Sequence, residues 1–372
     1  MSENKVIKGM TEEDRILQKL NSAKNTLDTL FEESDRVFIT GHTEPDMDAI
    51  GAAIGMSLIC KKNKKKSYIV VDEPIEKNAR KFIEETKGEF EYISASQVPE
   101  LLTDKSLLIS VDNNKSYKVS VSSYLDRFKS IFLLDHHDED KGTINTPYKC
   151  IDTKLSSTCE AVSILSFLYR VKISPKMANY LYAGIKLDTK DFTKNVSTSL
   201  PHQVSGKLIL KGVNLKYVKK WFIRTPEEDK IIRELTSNTI VYPYTYAIAC
   251  DKDENKIYSS VDIAKAADFL LYYDYSAIFI IAKTAPDTIN ISARSTGDFD
   301  VGKIMSCFNS VRGGRGGGNP VNAGAQIKGR TLDEVYLILR QLLMPCNIIV
   351  EQQEPEQQGQ KKLLLTEQIK NN

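Results

Sequence analysis

Val37-Phe38-Ile39-Thr40-Gly41-His42-Thr43-Glu44-Pro45-Asp46-Met47-Asp48-Ala49-Ile50-Gly51 is the stretch that decides the fold. Residues 37–40 form a short apolar run closed by a turn, which predicts a buried strand. From Asp48 to Lys61, Ala, Ile, Met and Leu recur at helical spacing and predict a helix. The strand–loop–helix unit repeats: Ser67 to Val71 is followed by Glu76 to Thr86, and Leu107 to Val111 and Ile131 to Leu134 are further apolar strands. Such alternation predicts an α/β fold with a doubly wound parallel sheet. Side chains on the loops leaving parallel strands converge on one rim. Here the loop carries His42, Asp46 and Asp48. By itself this cluster reads equally well as a set of ligands or as a solvated turn with Asp48 capping the helix.

Three further clusters stand at comparable places. Asp112 ends the strand at Val111, Asp135-His136-His137 follows Leu134, and Asp188-Thr189-Lys190 follows an apolar helix from Pro175 to Leu187. The chain has 4 histidines, three of them in these clusters, and His202 is read as an ordinary helix or surface residue. Carboxylates gathered on one rim repel one another unless cations hold them, so the economical reading is a pair of divalent metal ions. Mn²⁺ or Mg²⁺ suits a carboxylate-rich site, and the imidazoles favour Mn²⁺. None of the 6 cysteines lies in a cluster, no CxxC pair occurs, and they read as reduced core residues of a cytoplasmic protein rather than zinc ligands or disulfides.

At 372 residues the chain predicts two domains. The boundaries drawn are 1–225 for the first, 226–240 for a linker helix opened by Thr225-Pro226, 241–350 for a smaller α/β domain and 351–372 for a polar tail rich in Gln, Glu and Lys. Helices are also read at 11–33, 156–170, 198–211, 217–222, 262–272, 300–309 and 332–343, and strands of the second domain at 242–250, 277–282 and 289–294. A net charge of +2 supplies no global field, so any basic binding surface must be local. No apolar run reaches membrane-spanning length and no secretion signal is read.

In the second domain, Ser292 and Arg294 share a strand face. Arg312-Gly313-Gly314-Arg315-Gly316-Gly317-Gly318-Asn319 reads as a loop whose glycines let backbone amides approach a phosphate. Arg294 is a candidate fork for a phosphate or carboxylate.

The order H-x-x-x-D-x-D, D, D-H-H, D resembles the DHH phosphoesterase superfamily. The S-x-R strand, the Gly-rich loop and Ala323-Gly324-Ala325 resemble its DHH-associated domain. The resemblance implies two Mn²⁺ that share a bridging aspartate and activate water against phosphorus. It implies His42 and Asp46 on the first metal, Asp48, His136 and Asp188 on the second, and Asp112 as the bridge. His137 is placed near the phosphate and Asp135 behind it. Ser292, Arg294, Arg315, Gly316, Gly317, Gly318 and Asn319 are implied to hold the nucleotide. The family loop ends in His where this chain has Asn319, which hydrogen-bonds but carries no charge. Local strings, among them Val111-Asp112-Asn113-Asn114-Lys115 and Ser156-Ser157-Thr158 with Glu160, resemble the cytosolic half of the membrane-bound cyclic di-AMP phosphodiesterases of the GdpP type, so a freestanding soluble version is expected, with no membrane partner. The implied substrate is a cyclic dinucleotide. Alternatives are a short linear oligonucleotide, as for an oligoribonuclease, or 3′-phosphoadenosine 5′-phosphate, as for a phosphatase. A non-catalytic nucleotide-binding regulator is the reading from another class. The assembly state is open, a homodimer being one candidate.

Overall fold

A computed structural model of the chain describes residues 10–193, 196–243 and 246–351, with side chains up to Met344. The expected polar tail and Cys346 therefore lie outside the described side chains. The chain divides into two compact units, one ending at Ile223 and one beginning at Arg224.

The first unit opens with helix α1 (Glu12–Glu33), capped by a reciprocal pair of bonds between Thr11 and Asp14. Strand β1 (Arg36–Thr40) leads to α2 (Met47–Lys62), then come β2 (Lys66–Val70), α3 (Lys77–Thr86), β3 (Glu91–Ile93), the short α4 (Val98–Leu101), β4 (Ser106–Val111), β5 (Ser130–Asp135) and β6 (Tyr148–Ile151). The unit finishes with α5 (Thr158–Leu168), α6 (Pro175–Asp188), α7 (Leu200–Leu210) and α8 (Leu215–Trp221). The strands form one parallel sheet in the order β3-β2-β1-β4-β5-β6. Chain order runs outward from β1 on one side and from β4 on the other, so it reverses between these two neighbours. A crevice opens at such a switch point, at the carboxyl ends of the strands. α2 is buried along nearly its whole length and packs with α5 and α6 against one sheet face. That contact is close: a methyl on Gly51 would meet Cys159 Sγ at 2.8 Å and one on Gly55 would meet Val162 Cγ1 at 2.5 Å.

The second unit contains α9 (Pro226–Thr236), β7 (Thr239–Tyr242), β8 (Tyr246–Cys250), α10 (Ser260–Leu270), β9 (Ala277–Ala285), β10 (Thr288–Ser295), α11 (Val301–Ser306), β11 (Gly314–Gly318), β12 (Asn322–Lys328) and α12 (Leu332–Glu351). Its mixed sheet runs β11-β12-β10-β9-β8-β7, parallel only between β8 and β9. α9, expected as a linker, groups with this unit, and Leu235 is buried beside Ile263 and Ala266 of α10.

Two expectations change here. The Gly-rich stretch is an edge strand, β11, and the residues around Ala323 form its partner, β12. Its glycines answer to packing: a Cβ on Gly316 would fall 2.0 Å from the Met305 carbonyl oxygen, and one on Gly314 would fall 2.3 Å from that of Phe308. Of the cysteines, Cys60, Cys150 and Cys159 are buried as expected, whereas Cys307 is exposed because it sits in the single 3₁₀ turn after α11.

Candidate metal centre

The loop after β1 is shaped by Asp46. Its Oδ1 accepts from the amides of Asp48 (2.8 Å) and Ala49 (3.1 Å), so Asp46 and not Asp48 caps α2. Asp48 then lies inside the first turn, fully buried. Its two carboxylate oxygens accept from the amides at the start of α5, Thr158 at 2.7 Å and Cys159 at 2.9 Å. This close approach requires Gly184 on α6, since a Cβ there would stand 2.7 Å from Asp48 Oδ1.

Asp112 leaves β4 with φ 57°, a left-handed conformation uncommon outside glycine. It is buried and central: Oδ2 stands 3.6 Å from His42 Nε2, and Oδ1 stands 3.3 Å from His136 Nε2 and 3.8 Å from His137 Nδ1. His136 Nε2 also lies 3.0 Å from Asp188 Oδ2, and His42 Nε2 lies 3.9 Å from Asp46 Oδ1. Asp135 Oδ1 accepts from the amides of His136 and His137 and, at 2.8 Å, from His137 Nδ1. That bond fixes the ring and turns its other nitrogen outward.

The sequence-derived candidates therefore gather into three overlapping donor sets. His42, Asp46 and Asp112 form one; Asp48, Asp112, His136 and Asp188 the second; Asp112, Asp135, His136 and His137 the third. Within each set the donor atoms lie within 4.8 Å of one another, and Asp112 belongs to all three.

The electrostatics are frustrated. Burial, then the charges of Asp112 and Asp188, push the Asp46 carboxyl up to about 7. Burial raises Asp48 and Asp188 as well. Burial would raise Asp112 too, but the imidazoles of His136 and His42 outweigh it and hold that carboxyl well below the ordinary range. Burial opposes a charged His42 ring, yet Asp112 and Asp46 bring it up to about 9. Protons thus substitute for cations in holding these carboxylates together. Divalent ions fit the residues better. The donors are oxygen and imidazole nitrogen in the proportions Mn²⁺ or Mg²⁺ accepts. His136 Nε2 is buried between two carboxylates without a well-directed hydrogen bond of its own, the condition of a ligating nitrogen.

Sequence reasoning passed over Thr158 as a contributor here. Its hydroxyl donates to Asp112 Oδ1 at 3.2 Å while its amide serves Asp48. Ser156-Ser157-Thr158 stands out in the sequence as a resembling string, but nothing in its residue types assigns Thr158 a place beside Asp112 and Asp48.

In the second unit a cleft of about 660 Å³ is lined by Ser292, Arg315 and Gly316, together with Asn290, Asn309 and Gln326, which the sequence did not single out. Arg294, Gly317, Gly318 and Asn319 are not part of its lining. Arg294 is largely buried, with Nε donating to Asp268 Oδ1 at 2.7 Å and a terminal nitrogen donating to Ser292 Oγ at 3.1 Å. Asn319 Oδ1 accepts from the amides of Val321 (3.1 Å) and Asn322 (2.8 Å), so its side chain builds the β11–β12 turn.

A carboxylate–imidazole centre at the switch point of a parallel sheet, followed by a second α/β unit, defines the class: a two-domain protein built to hold divalent metal. Residues 36–185 match the DHH family, N-terminal domain, and residues 242–344 match the DHHA1 domain. The chain thus carries a DHH N-terminal domain and a DHHA1 domain. It is 34% identical to the cyclic-di-AMP phosphodiesterase GdpP of Geobacillus thermodenitrificans over 89% of this chain and 50% of that protein. It is 24% identical to the bifunctional oligoribonuclease and PAP phosphatase NrnA of Thermus thermophilus over 81% of this chain and 86% of that one. An exopolyphosphatase-related protein from Bacteroides fragilis shares the fold with a TM-score of 0.73 at 20% identity, covering 89% of this chain and 98% of that one. The chain spans about half the length of the cyclic-di-AMP phosphodiesterases it matches, 50% and 49% of two of them. Among the described residues no helix is long and apolar enough to cross a membrane.

Proposed function

We propose that this chain is a metal-dependent phosphodiesterase that uses Mn²⁺ and opens cyclic di-AMP to linear pApA, with onward cleavage to AMP. The observation that carries the reading is Asp112, shared by donor sets on both sides of the switch point. In this reading His42 and Asp46 would hold one ion, Asp48, His136 and Asp188 the other, and Asp112 would serve both. When bound, such a pair acidifies water and neutralises charge on the phosphoryl oxygens. Asp112 Oδ2 faces His42 and its Oδ1 faces His136. Asp135 holds the His137 ring so that its free nitrogen can donate to a phosphoryl or leaving oxygen. Hydrolysis adds water's hydroxyl to phosphorus and returns its proton to the departing 3′ oxygen. In this reading the cleft of the second unit is the nucleotide-binding element, with Ser292 and Arg315 as its donors. The names of relatives such as GdpP support the substrate. The test is turnover of cyclic di-AMP by pure protein with Mn²⁺ and with a chelator.

One observation favours a second reading. The oligoribonuclease and PAP phosphatase relative and this chain correspond over most of both lengths, 86% and 81%. Activity on short RNA or on 3′-phosphoadenosine 5′-phosphate is therefore the alternative, and comparing rates on the three substrates separates the two.

A further inference from the structure

The hairpin of α7 and α8 is unusual in both charge and apolar exposure. Residues 192–223 contain no Asp or Glu, in a chain whose charges otherwise nearly balance. Lys207, Lys211, Lys216, Lys219 and Lys220 lie on the hairpin, all exposed. Among the described residues no carboxylate pairs with Lys211, Lys216, Lys219 or Lys220. Between these lysines the tip presents large aliphatic side chains to solvent: Leu210 is 86% exposed, Leu215 50% and Ile209 43%.

This is a built surface. On its inner side Leu208, Val218 and Trp221 are buried, and the Trp221 ring packs on Phe82 at 4.7 Å between centroids. The turn is pinned by Asn214, whose amide donates to Asn179 Oδ1 at 2.7 Å and whose side chain caps α8. Gly212, at φ 99°, sits against Pro175. The nearby Glu85 carboxylate is taken up by the hydroxyls of Tyr180 and Tyr217. On α8, Lys216, Lys219 and Lys220 follow the i, i+3, i+4 spacing of one face, opposite Val218 and Trp221. The hairpin is thus held by its inner face, and the aliphatic tip between lysines is left outside.

We propose that the α7–α8 hairpin is a docking surface for an anionic lipid bilayer, with Leu210, Leu215 and Ile209 entering the interface and the lysines facing the headgroups. Lysines beside shallow aliphatic anchors are the chemistry of interfacial binding. A second copy of this chain would bring the same unpaired lysines face to face. A nucleic acid would find cationic complementarity, but the side chains between the lysines at the tip are the aliphatic Ile209, Leu210 and Leu215 rather than aromatic rings, and Trp221 is buried. The proposal is independent of the reading of the metal centre.

The test is co-sedimentation of the full chain with vesicles of phosphatidylglycerol and phosphatidylcholine, and of phosphatidylcholine alone. The expected result is binding to the anionic vesicles only, weakened by high salt. Each lysine near an anionic surface is worth roughly fivefold in binding, so Lys216→Glu with Lys219→Glu should weaken it by roughly 25-fold or more. Leu210→Ser with Leu215→Ser should also weaken it, while both variants keep the wild-type Tm and the wild-type activity on soluble substrate. Failure of the wild type to bind, or equal binding to neutral vesicles, overturns the proposal. So does binding unchanged by the leucine substitutions, which would mean loose electrostatic adsorption. A shift of either variant from dimer to monomer without vesicles would assign the surface to a second copy and likewise overturn it.

Discussion

Thr158 joins two of the candidate metal ligands: its hydroxyl donates to Asp112 at 3.2 Å and its backbone amide donates to Asp48 at 2.7 Å. Both contacts are buried. The start of α5 therefore sets the orientation of carboxylates that arrive from α2 and from the end of β4. Partners of this kind are typically worth about 10- to 100-fold in metal affinity. Thr158→Val keeps the size and the amide and removes only the hydroxyl bond. It is expected to weaken Mn²⁺ binding in a calorimetric titration within that range, with Thr158→Ser restoring it. Wild-type affinity in the valine variant would remove Thr158 from the site.

Asn319 occupies the position where the family loop ends in His, and the structure gives it a turn to hold. Asn319→His loses the acceptor for two exposed turn amides and is expected to cost about 0.5–1.5 kcal/mol, the net range for an ordinary hydrogen bond. Asn319→Asp keeps the acceptor and should stay near wild-type stability. Urea midpoints for the two variants check this. Equal loss in both would mean that the turn does not depend on the side-chain oxygen.

Arg294 is tied to Asp268 and Ser292, so it reaches a ligand only by changing partners. Asp268→Asn should free the guanidinium while keeping the shape. Arg294→Ala removes a charge-assisted bond worth about 1.5–3 kcal/mol. If Arg294 holds nucleotide, the alanine variant raises KM by roughly 10- to 100-fold with kcat nearly kept, and the Asp268 variant does not. If both variants lose only stability, Arg294 is a structural residue.

Asp152 anchors α1 to the end of β6 through a two-pronged pair with Arg15, at 2.7 and 2.8 Å, and a contact with Lys19 at 3.2 Å. Burial alone would raise this carboxyl, but Arg15, the Lys154 amide and Lys19 outweigh it and lower it. A carboxyl lower in the folded than in the unfolded state stabilises the fold above the unfolded value of about 3.9, and that contribution fades as pH falls through the folded value. Asp152→Asn should therefore be clearly less stable than wild type at neutral pH, with the gap closing below about pH 4. A gap independent of pH would mean that shape and not charge holds the contact.

The parallel sheet and the candidate site were legible because the candidate ligands lie at or just beyond the ends of apolar strands and one apolar helix, and strand ends converge in this fold whatever the side-chain detail. What escaped depends on packing between distant segments. The glycines of β11 looked like a phosphate loop, yet Gly314 and Gly316 are set by the carbonyls of Phe308 and Met305 pressing on them. Asp48 looked like the cap of α2, but a cap two residues earlier, at Asp46, freed it to face α5. The Arg294–Asp268 pair joins β10 to α10 across 26 residues, a separation that local spacing does not reveal.

In the proposed function Asp112 is the residue common to both halves of a candidate metal centre that would open a cyclic dinucleotide. The direct measurement is the rate of cyclic di-AMP opening by metal-stripped protein refilled with Mn²⁺, wild type beside Asp112→Ala, with metal content and Tm recorded for each. The expected result is linear pApA from the refilled wild type and none in chelator. The variant is expected to lose several orders of magnitude in rate with the fold kept. Full activity in chelator, or wild-type turnover by Asp112→Ala, would contradict the proposed function.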